Sequence, residues 1–131
     1  MSNVGMTGAL LNNTHPAMRR CWHPVARSNE VSGEPTRALL LGDPLVLFRS
    51  QGEVVCFADR CPHRRAPLSL GSCDGAILQC AYHGWRFGGD GRCVEIPALG
   101  PDASVPSHIP KPYVNTPNRA WPLFLISVGA V

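Results

Sequence analysis

Short runs rich in apolar residues, separated by turn residues, make up most of the chain from Arg37 onward. Runs of this length bounded by Gly, Pro, Asp or Ser are typical of β-strands joined by tight turns. Strands are predicted at residues 38–41, 45–48, 54–58, 76–79, 85–87 and 93–96. Turns are predicted at residues 42–44, 50–53 and 88–91, and the last, Gly-Gly-Asp-Gly, suits positive φ angles. The pattern therefore predicts an all-β domain built on an antiparallel meander.

The two ends of the chain differ from this pattern. Residues 1–14 are mostly small or polar without periodicity, which predicts a flexible tail over residues 1–17 and a domain over residues 18–131. Residues 97–117 are rich in Pro and predict an extended loop, and residues 121–128 predict a closing strand.

Length and composition narrow the class of protein. The chain has 131 residues, enough for one domain with its own core. A hydrophobic fraction of 44% with 16% charged residues excludes a disordered chain, and 13 Gly with 13 Pro argue against a helical bundle. The net charge of +3 comes mostly from scattered Arg residues, so no nucleic-acid partner is expected.

No targeting signal is recognisable in the sequence. Its first residues do not combine a basic start with a long apolar run, as a secretory signal would. The longest apolar stretch, residues 121–131, is about half of the ~20 residues that a membrane helix needs. These features predict a cytoplasmic protein with no membrane association. Six Cys residues in such a chain point to metal or redox chemistry rather than to disulfides.

Two mixed Cys/His pairs carry the candidate chemistry. They are Cys61-Pro62-His63 and Cys80-Ala81-Tyr82-His83, separated by residues 64–79. Each pair follows a predicted strand, so the two loops are able to face each other and hold one inorganic centre between them. Thiolates and neutral imidazoles are ligands for iron or zinc. The candidate metal ligands are therefore Cys61, His63, Cys80 and His83.

Zinc and a [2Fe-2S] cluster are the two candidates for this centre. Two Cys and two His form a common zinc ligand set, but zinc fingers usually keep Cys with Cys and His with His along the chain. Here each loop offers one Cys and one His. This mixing suits a [2Fe-2S] cluster in which one iron binds both Cys and the other binds both His. The sequence favours the cluster and leaves zinc as the alternative.

The residues around the two pairs extend the motif. They read CPHR at 61–64, APL at 66–68 and CAYHGWRF at 80–87, with WHPVA at 22–26, GDPLVLFR at 42–49 and DGRCVEIP at 90–97. Together these segments resemble the Rieske domain of the Rieske non-heme iron oxygenases, including vanillate-demethylase-like and ketosteroid-hydroxylase-like components. The resemblance covers about residues 20–110. From Lys111 onward the sequence departs from the family pattern, and three interpretations of that segment stay open: a truncation, a frameshifted tail or a genuine closing strand.

The resemblance implies a fold, a cofactor and partners. The fold is a Rieske-type antiparallel β-sandwich with a small cluster-binding subdomain of two loops, and the cofactor is a [2Fe-2S] cluster. A reductase or ferredoxin is implied as electron donor, and a mononuclear iron oxygenase domain as acceptor. In the family that iron lies in a separate C-terminal domain, held by two His and one carboxylate.

Two functions stay open at this stage. The sequence after His83 offers only His108 as a further imidazole, so we expect the catalytic iron domain to be absent and the chain not to oxygenate a substrate on its own. It is then the electron-carrying module of a ring-hydroxylating or demethylating oxygenase system, or a free-standing Rieske-type ferredoxin. Neither the substrate nor the oligomeric state is predicted.

The sequence raises further expectations for Arg65, for the flanking Arg residues and for Trp85. Many family members have Gly after Cys-Pro-His-Arg, whereas this chain has Arg65, which would cost about 1 kcal/mol if the backbone there has positive φ. The Arg residues that flank the ligands form either a basic rim for an acidic redox partner or a solvated face paired locally with Asp59 or Asp74; they are Arg60, Arg64, Arg65 and Arg86. Trp85 is either a shield for the centre or a simple packing residue.

The remaining Cys and His residues have no partner at ligand spacing. Four Cys are expected to behave as small hydrophobic residues: Cys21, Cys56, Cys73 and Cys93. Three His are expected to have surface or core roles: His15, His23 and His108.

Overall fold

The computed structural model describes residues 15, 17–18 and 21–112, together with the backbone of residues 115–118 and 123–127. These residues form three antiparallel sheets, and no α-helix occurs among them. The prediction of an all-β domain is confirmed. The predicted tail, residues 1–17, lies outside the described residues except for His15 and Ala17.

The central sheet has the strand order β2–β3–β4. Strand β2 spans Thr36–Leu40, β3 spans Asp43–Ser50 and β4 spans Glu53–Ala58. Two-residue turns, Leu41-Gly42 and Gln51-Gly52, join the strands with positive φ at all four residues, a geometry that matches the right-handed twist of a hairpin. The turn predicted at residues 42–44 therefore lies at Leu41-Gly42 instead. Leu40 pairs with Asp43, which leaves only two residues between the strands.

Strands β3 and β4 of the central sheet are buried on both faces. Side chains alternate along a strand, so successive residues of β3 and β4 enter different cores. One core contains Val46, Phe48, Val55 and Phe57, and the other contains Leu45, Leu47, Val54 and Cys56. The rings of Phe48 and Phe57 meet edge to face with centroids 5.0 Å apart. Burial on both faces explains why these strands read as continuous apolar runs.

A second sheet pairs the two ends of the domain. Strand β1 spans His23–Arg27, and the backbone segments Asn115–Asn118 and Leu123–Ser127 form β9 and β10, in the order β1–β10–β9. The closing strand predicted at residues 121–128 is present as β10, with residues 121, 122 and 128 outside the described part. Strand β9 lies partly within residues 97–117, for which a loop was predicted. That prediction was wrong at residues 115–117, because β9 pairs with β10, a partner that local composition does not reveal.

The third sheet covers the face that carries Phe48 and Phe57. Strands β5, β6, β7 and β8 span Ser72–Cys73, Leu78–Gln79, Arg86–Phe87 and Cys93–Glu95 and lie in that order. Leu78 and Phe87 are fully buried in the same core. This sheet holds the segments that bear the second Cys/His pair.

Short turns connect the strands of the described fold. Single turns of 3-10 helix lie at Ser28–Glu30, Leu68–Leu70 and Pro97–Leu99. In the turn predicted at residues 88–91, Gly91 has the expected positive φ of 82°, and a Cβ on Gly89 would lie 2.6 Å from the Oγ of Ser50. None of the helical turns in the described residues has the length and hydropathy of a transmembrane span.

Candidate metal centre

The first loop leaves β4 and contains Cys61 and His63. The backbone N–H of Cys61 donates to the carbonyl of Ala66 at 2.8 Å, and the N–H of Arg65 donates to the carbonyl of Cys61 at 2.8 Å. This tight return requires a left-handed backbone, and Arg65 has φ 59°. The positive φ on which the expected cost at Arg65 depends is therefore present. A non-Gly residue in this conformation costs about 1 kcal/mol or more.

The second loop, between β6 and β7, repeats the same hydrogen-bond pattern. The N–H of Cys80 donates to the carbonyl of Trp85 at 2.8 Å, and the N–H of Gly84 donates to the carbonyl of Cys80 at 3.2 Å. Gly84 has φ 74° and corresponds in position to Arg65 of the first loop. The two loops are therefore equivalent turns, each of which presents a buried Cys at its start.

The two Cys side chains lie together inside the domain. Cys61 is 2% exposed and Cys80 is 3% exposed, and both belong to the core that contains Phe57. Burial raises the pKa of the Cys61 thiol to about 11; backbone N–H groups of His63 and Arg64 lower it, and the adjacent Cys80 thiol raises it. A pair of buried thiols at this position binds a metal only by releasing protons, and the positive charge of the metal then stabilises both thiolates.

The two His side chains lie together nearer the surface. The Nδ1 atoms of His63 and His83 are 3.2 Å apart. Metal–nitrogen bonds of about 2.1 Å at a tetrahedral angle would separate two nitrogen ligands by about 3.4 Å. Desolvation lowers the pKa of His63, with further lowering by His83 and Arg64. Neutral imidazoles whose nitrogens converge in this way are suited to share one metal ion.

Aromatic rings support both imidazoles. The Trp85 indole stacks on the His63 ring with centroids 4.5 Å apart and 9° between the planes. The Tyr82 ring lies against His83 with centroids 3.9 Å apart. Trp85 therefore makes a direct contact with a candidate ligand from the other loop, in addition to its packing against the core.

The arrangement consists of two pairs rather than one cluster of four. Among residues 15, 17–18 and 21–112, no group of three or more His, Cys, Asp or Glu side chains converges so as to hold a single metal ion. A structural zinc ion needs four ligands around one point, whereas a [2Fe-2S] cluster of this ligand type takes one pair on each iron. The buried thiol pair and the outer imidazole pair fit the cluster better than zinc.

The flanking arginines divide into two groups. Arg86 pairs with Asp74 at 2.9 Å and with Glu95 at 3.2 Å, so the local-pairing interpretation holds for it. Asp59 pairs with Arg37 at 3.6 Å and not with a flanking Arg. The other three are exposed, and no ion pair involves them within the part of the chain that the structure describes; they are Arg60, Arg64 and Arg65.

The remaining Cys residues do not join either ligand pair within the described part of the chain. Cys56 is fully buried, and burial raises its pKa. Cys73 donates its thiol to the carbonyl of Arg49 at 3.3 Å, and Cys93 is 8% exposed. These three agree with the expected packing role. For Cys21 that expectation was wrong, because its side chain is exposed on a short turn before β1.

The remaining His residues also have other contacts. His15 accepts a hydrogen bond from the N–H of Ala17 at its Nδ1, and the Nε2 of His23 lies 2.7 Å from the carbonyl of Met18. His108 is exposed. The contact of Asp59 with Ser69 has no signal in the sequence, since these residues are ten positions apart and neither belongs to a ligand motif.

Comparison with known proteins agrees with this geometry. A family model described as the Rieske [2Fe-2S] domain matches residues 21–115. The chain is 43% identical over 88 residues to the 3-chlorobenzoate-3,4-dioxygenase oxygenase subunit of Comamonas testosteroni, covering 65% of this chain and 20% of that protein. It is 38% identical over 108 residues to methylxanthine N1-demethylase NdmA of Pseudomonas putida, covering 78% of this chain and 30% of that protein.

Solved structures show the same relationship. The structure of Pseudomonas putida NdmA superimposes with a TM-score of 0.76 and 34% identity over 91% of this chain and 37% of that one. Dicamba monooxygenase superimposes with a TM-score of 0.75 and 35% identity over 86% of this chain and 35% of that one. The chain thus spans between a fifth and two fifths of the length of these relatives. With the family model matching well over half of its residues, the chain belongs to the Rieske [2Fe-2S] domain family, whose members transfer electrons through a Rieske cluster.

Proposed function

We propose that Cys61 and Cys80 bind the inner iron of the Rieske cluster and that His63 and His83 bind the outer iron. The observation that carries this assignment is the division of the four side chains into a buried thiol pair and an outer pair whose Nδ1 atoms are 3.2 Å apart. When bound, the cluster accepts and releases one electron. The protein's part is to keep the thiolates in the core and the imidazole edges near the surface.

We propose further that the domain is the electron-carrying module of an oxygenase system. The support is similarity to the 3-chlorobenzoate dioxygenase subunit of C. testosteroni and to the methylxanthine demethylase of P. putida. The electron acceptor would then be a mononuclear iron oxygenase domain. No observation specifically favours a free-standing ferredoxin, which the sequence alone left open.

A reductase or ferredoxin would supply the electron at the outer side of the cluster. The first loop presents Arg60, Arg64 and Arg65 at the surface beside His63. An unpaired basic face of this kind attracts a partner with an acidic surface and speeds their encounter at low salt. We therefore propose an acidic donor that approaches the first loop. The six unpaired thiols are compatible with a reducing compartment, and we propose the cytoplasm.

Metal and sulfide analysis tests the ligand assignment. The purified protein should contain about two irons and two acid-labile sulfides per chain. Cys61→Ser and Cys80→Ser should each abolish the cluster. Cys73→Ser is the matched control, because a serine hydroxyl retains the donor to the Arg49 carbonyl and the residue lies outside both loops; it should retain full iron content. A colourless protein with one zinc ion would contradict the proposal.

A further inference from the structure

Asp59 is a buried charge at the base of the first cluster loop. It is 3% exposed and is the one charged residue in the buried core of residues 21–112. Its carboxylate accepts hydrogen bonds from the N–H of Ser69 at 2.7 Å and from the Ser69 hydroxyl at 2.6 Å. The Nε of Arg37, on the edge strand β2, lies 3.6 Å from the carboxylate. A buried charge with three such contacts is costly to place there and fixes the position of its partners.

The contact with Ser69 closes the first loop. The 3-10 turn Leu68–Leu70 begins after Pro67, which offers no side chain to accept the free N–H groups at the start of the turn. Asp59 supplies that acceptor from ten residues earlier in the chain. The loop that contains Cys61 and His63 is therefore tied at both ends, by Asp59 before it and by Ser69 after it.

The same turn contacts the second loop. A Cβ on Gly71 would lie 1.9 Å from the carbonyl oxygen of Gln79, so the chain that leaves the turn passes directly against strand β6. Gln79 immediately precedes Cys80. Leu68 of the turn is fully buried in the core that also contains Cys61 and Cys80. Through this turn, Asp59 is connected by direct contacts to the bases of both loops.

We propose that Asp59 is a positioning residue of the metal centre with two effects. It holds the turn Leu68–Leu70 that spaces the two ligand loops, and its negative charge, partly balanced by Arg37, disfavours addition of an electron to the centre. The inference rests on the ligand assignment proposed above. It predicts that loss of the carboxylate charge and loss of the Arg37 charge change the reduction potential in opposite directions.

The test combines reduction potential, EPR line shape and the rate of cluster loss to a chelator. Asp59→Asn removes the charge with little change of shape and should raise the potential, alter the EPR line shape and accelerate cluster loss about tenfold, as expected for one charge-assisted hydrogen bond. Arg37→Gln should lower the potential, and more so at low salt because Arg37 is largely exposed. Asp90→Asn is the matched control: this exposed Asp caps the turn before β8, so none of the three readouts should change.

The Ser69 variants separate positioning from charge. Ser69→Ala keeps the Asp59 charge and should accelerate cluster loss with little change of potential, and Ser69→Thr should restore the original rate because it keeps the hydroxyl. If Asp59→Asn does not fold, Arg37→Gln and the two Ser69 variants still decide the question. The inference would be overturned if the reduction potentials of the Asp59 and Arg37 variants equalled the parent's or shifted in the same direction. It would also be overturned if Ser69→Ala lost its cluster no faster than the parent. Absence of a cluster from the unmodified protein would instead contradict the proposed ligand assignment.

Discussion

The indole of Trp85 stacks face to face on the imidazole of His63, so a residue of the second loop covers a candidate ligand of the first. The stack excludes water from one face of His63 and restricts rotation of its ring. Since the Nδ1 of His63 points toward that of His83, this restriction keeps the two nitrogen atoms convergent.

Removing the indole should loosen the outer half of the centre. Stacked aromatic pairs contribute about 0.5–1.5 kcal/mol beyond their buried area, so Trp85→Leu should speed cluster loss to a chelator by roughly 2- to 12-fold. Trp85→Phe keeps a flat ring and should stay closer to the parent. The decay of visible absorbance measures both rates. Equal rates for all three proteins would leave Trp85 with a packing role only.

Replacing Arg65 by Gly should stabilise the protein. Arg65 has φ 59°, a conformation that Gly adopts without a steric penalty, and the equivalent position of the second loop is Gly84. We expect an increase of about 1 kcal/mol in the free energy of unfolding, measured by urea titration. Arg64→Gly is the control, because Arg64 has no positive φ and should gain nothing from the change. A loss of stability in Arg65→Gly would contradict the assigned backbone strain.

The basic face of the first loop should steer the electron donor. Arg64→Gln with Arg65→Gln should slow reduction by an acidic reductase or ferredoxin roughly tenfold at low ionic strength and flatten the salt dependence. Arg92→Gln removes one exposed positive charge on the turn before β8, away from the loop, and serves as the control. Stopped-flow reduction rates measure the effect. Rates equal to the parent's at low salt would assign these arginines to a solvated face.

Alkaline pH should destabilise the fold through Cys56. Burial raises the pKa of this thiol above its ordinary value of 9.0, so the folded protein keeps a proton that the unfolded chain releases. The contribution of the Cys56 thiol to the free energy of unfolding is complete below pH 9. Above that pH it falls by about 1.4 kcal/mol per pH unit. Parallel urea titrations of the parent and Cys56→Ala between pH 8 and 10 should show a steeper decline for the parent. Identical slopes would exclude a protonated buried Cys56.

The apolar runs of β3 and β4 were sufficient to predict the central sheet. Val46 and Phe48 face one core and Leu45 and Leu47 the other, and a short continuous apolar run in a chain so rich in Gly and Pro favours a buried strand over a helix. Strand β1 was missed because its partner β10 lies about a hundred residues later. Long-range pairing of this kind leaves little local signal.

The candidate ligands followed from spacing, whereas their surroundings did not. The Cys/His pairs at 61–63 and 80–83 carry a motif that is legible in a single sequence. The contacts of Asp59 with Ser69 and of Trp85 with His63 depend on how loops fold toward each other. Such contacts join residues that no local pattern connects, so they appear only in three dimensions.

In the proposed metal centre, two imidazole nitrogens bind one iron of the cluster while two thiolates bind the other. Pulsed EPR of the reduced protein detects nitrogen nuclei bound to the paramagnetic centre. We predict two strongly coupled nitrogens in the parent and one in each of His63→Cys and His83→Cys, provided that the variant retains a cluster. A parent spectrum without strongly coupled nitrogen would contradict iron binding by His63 and His83.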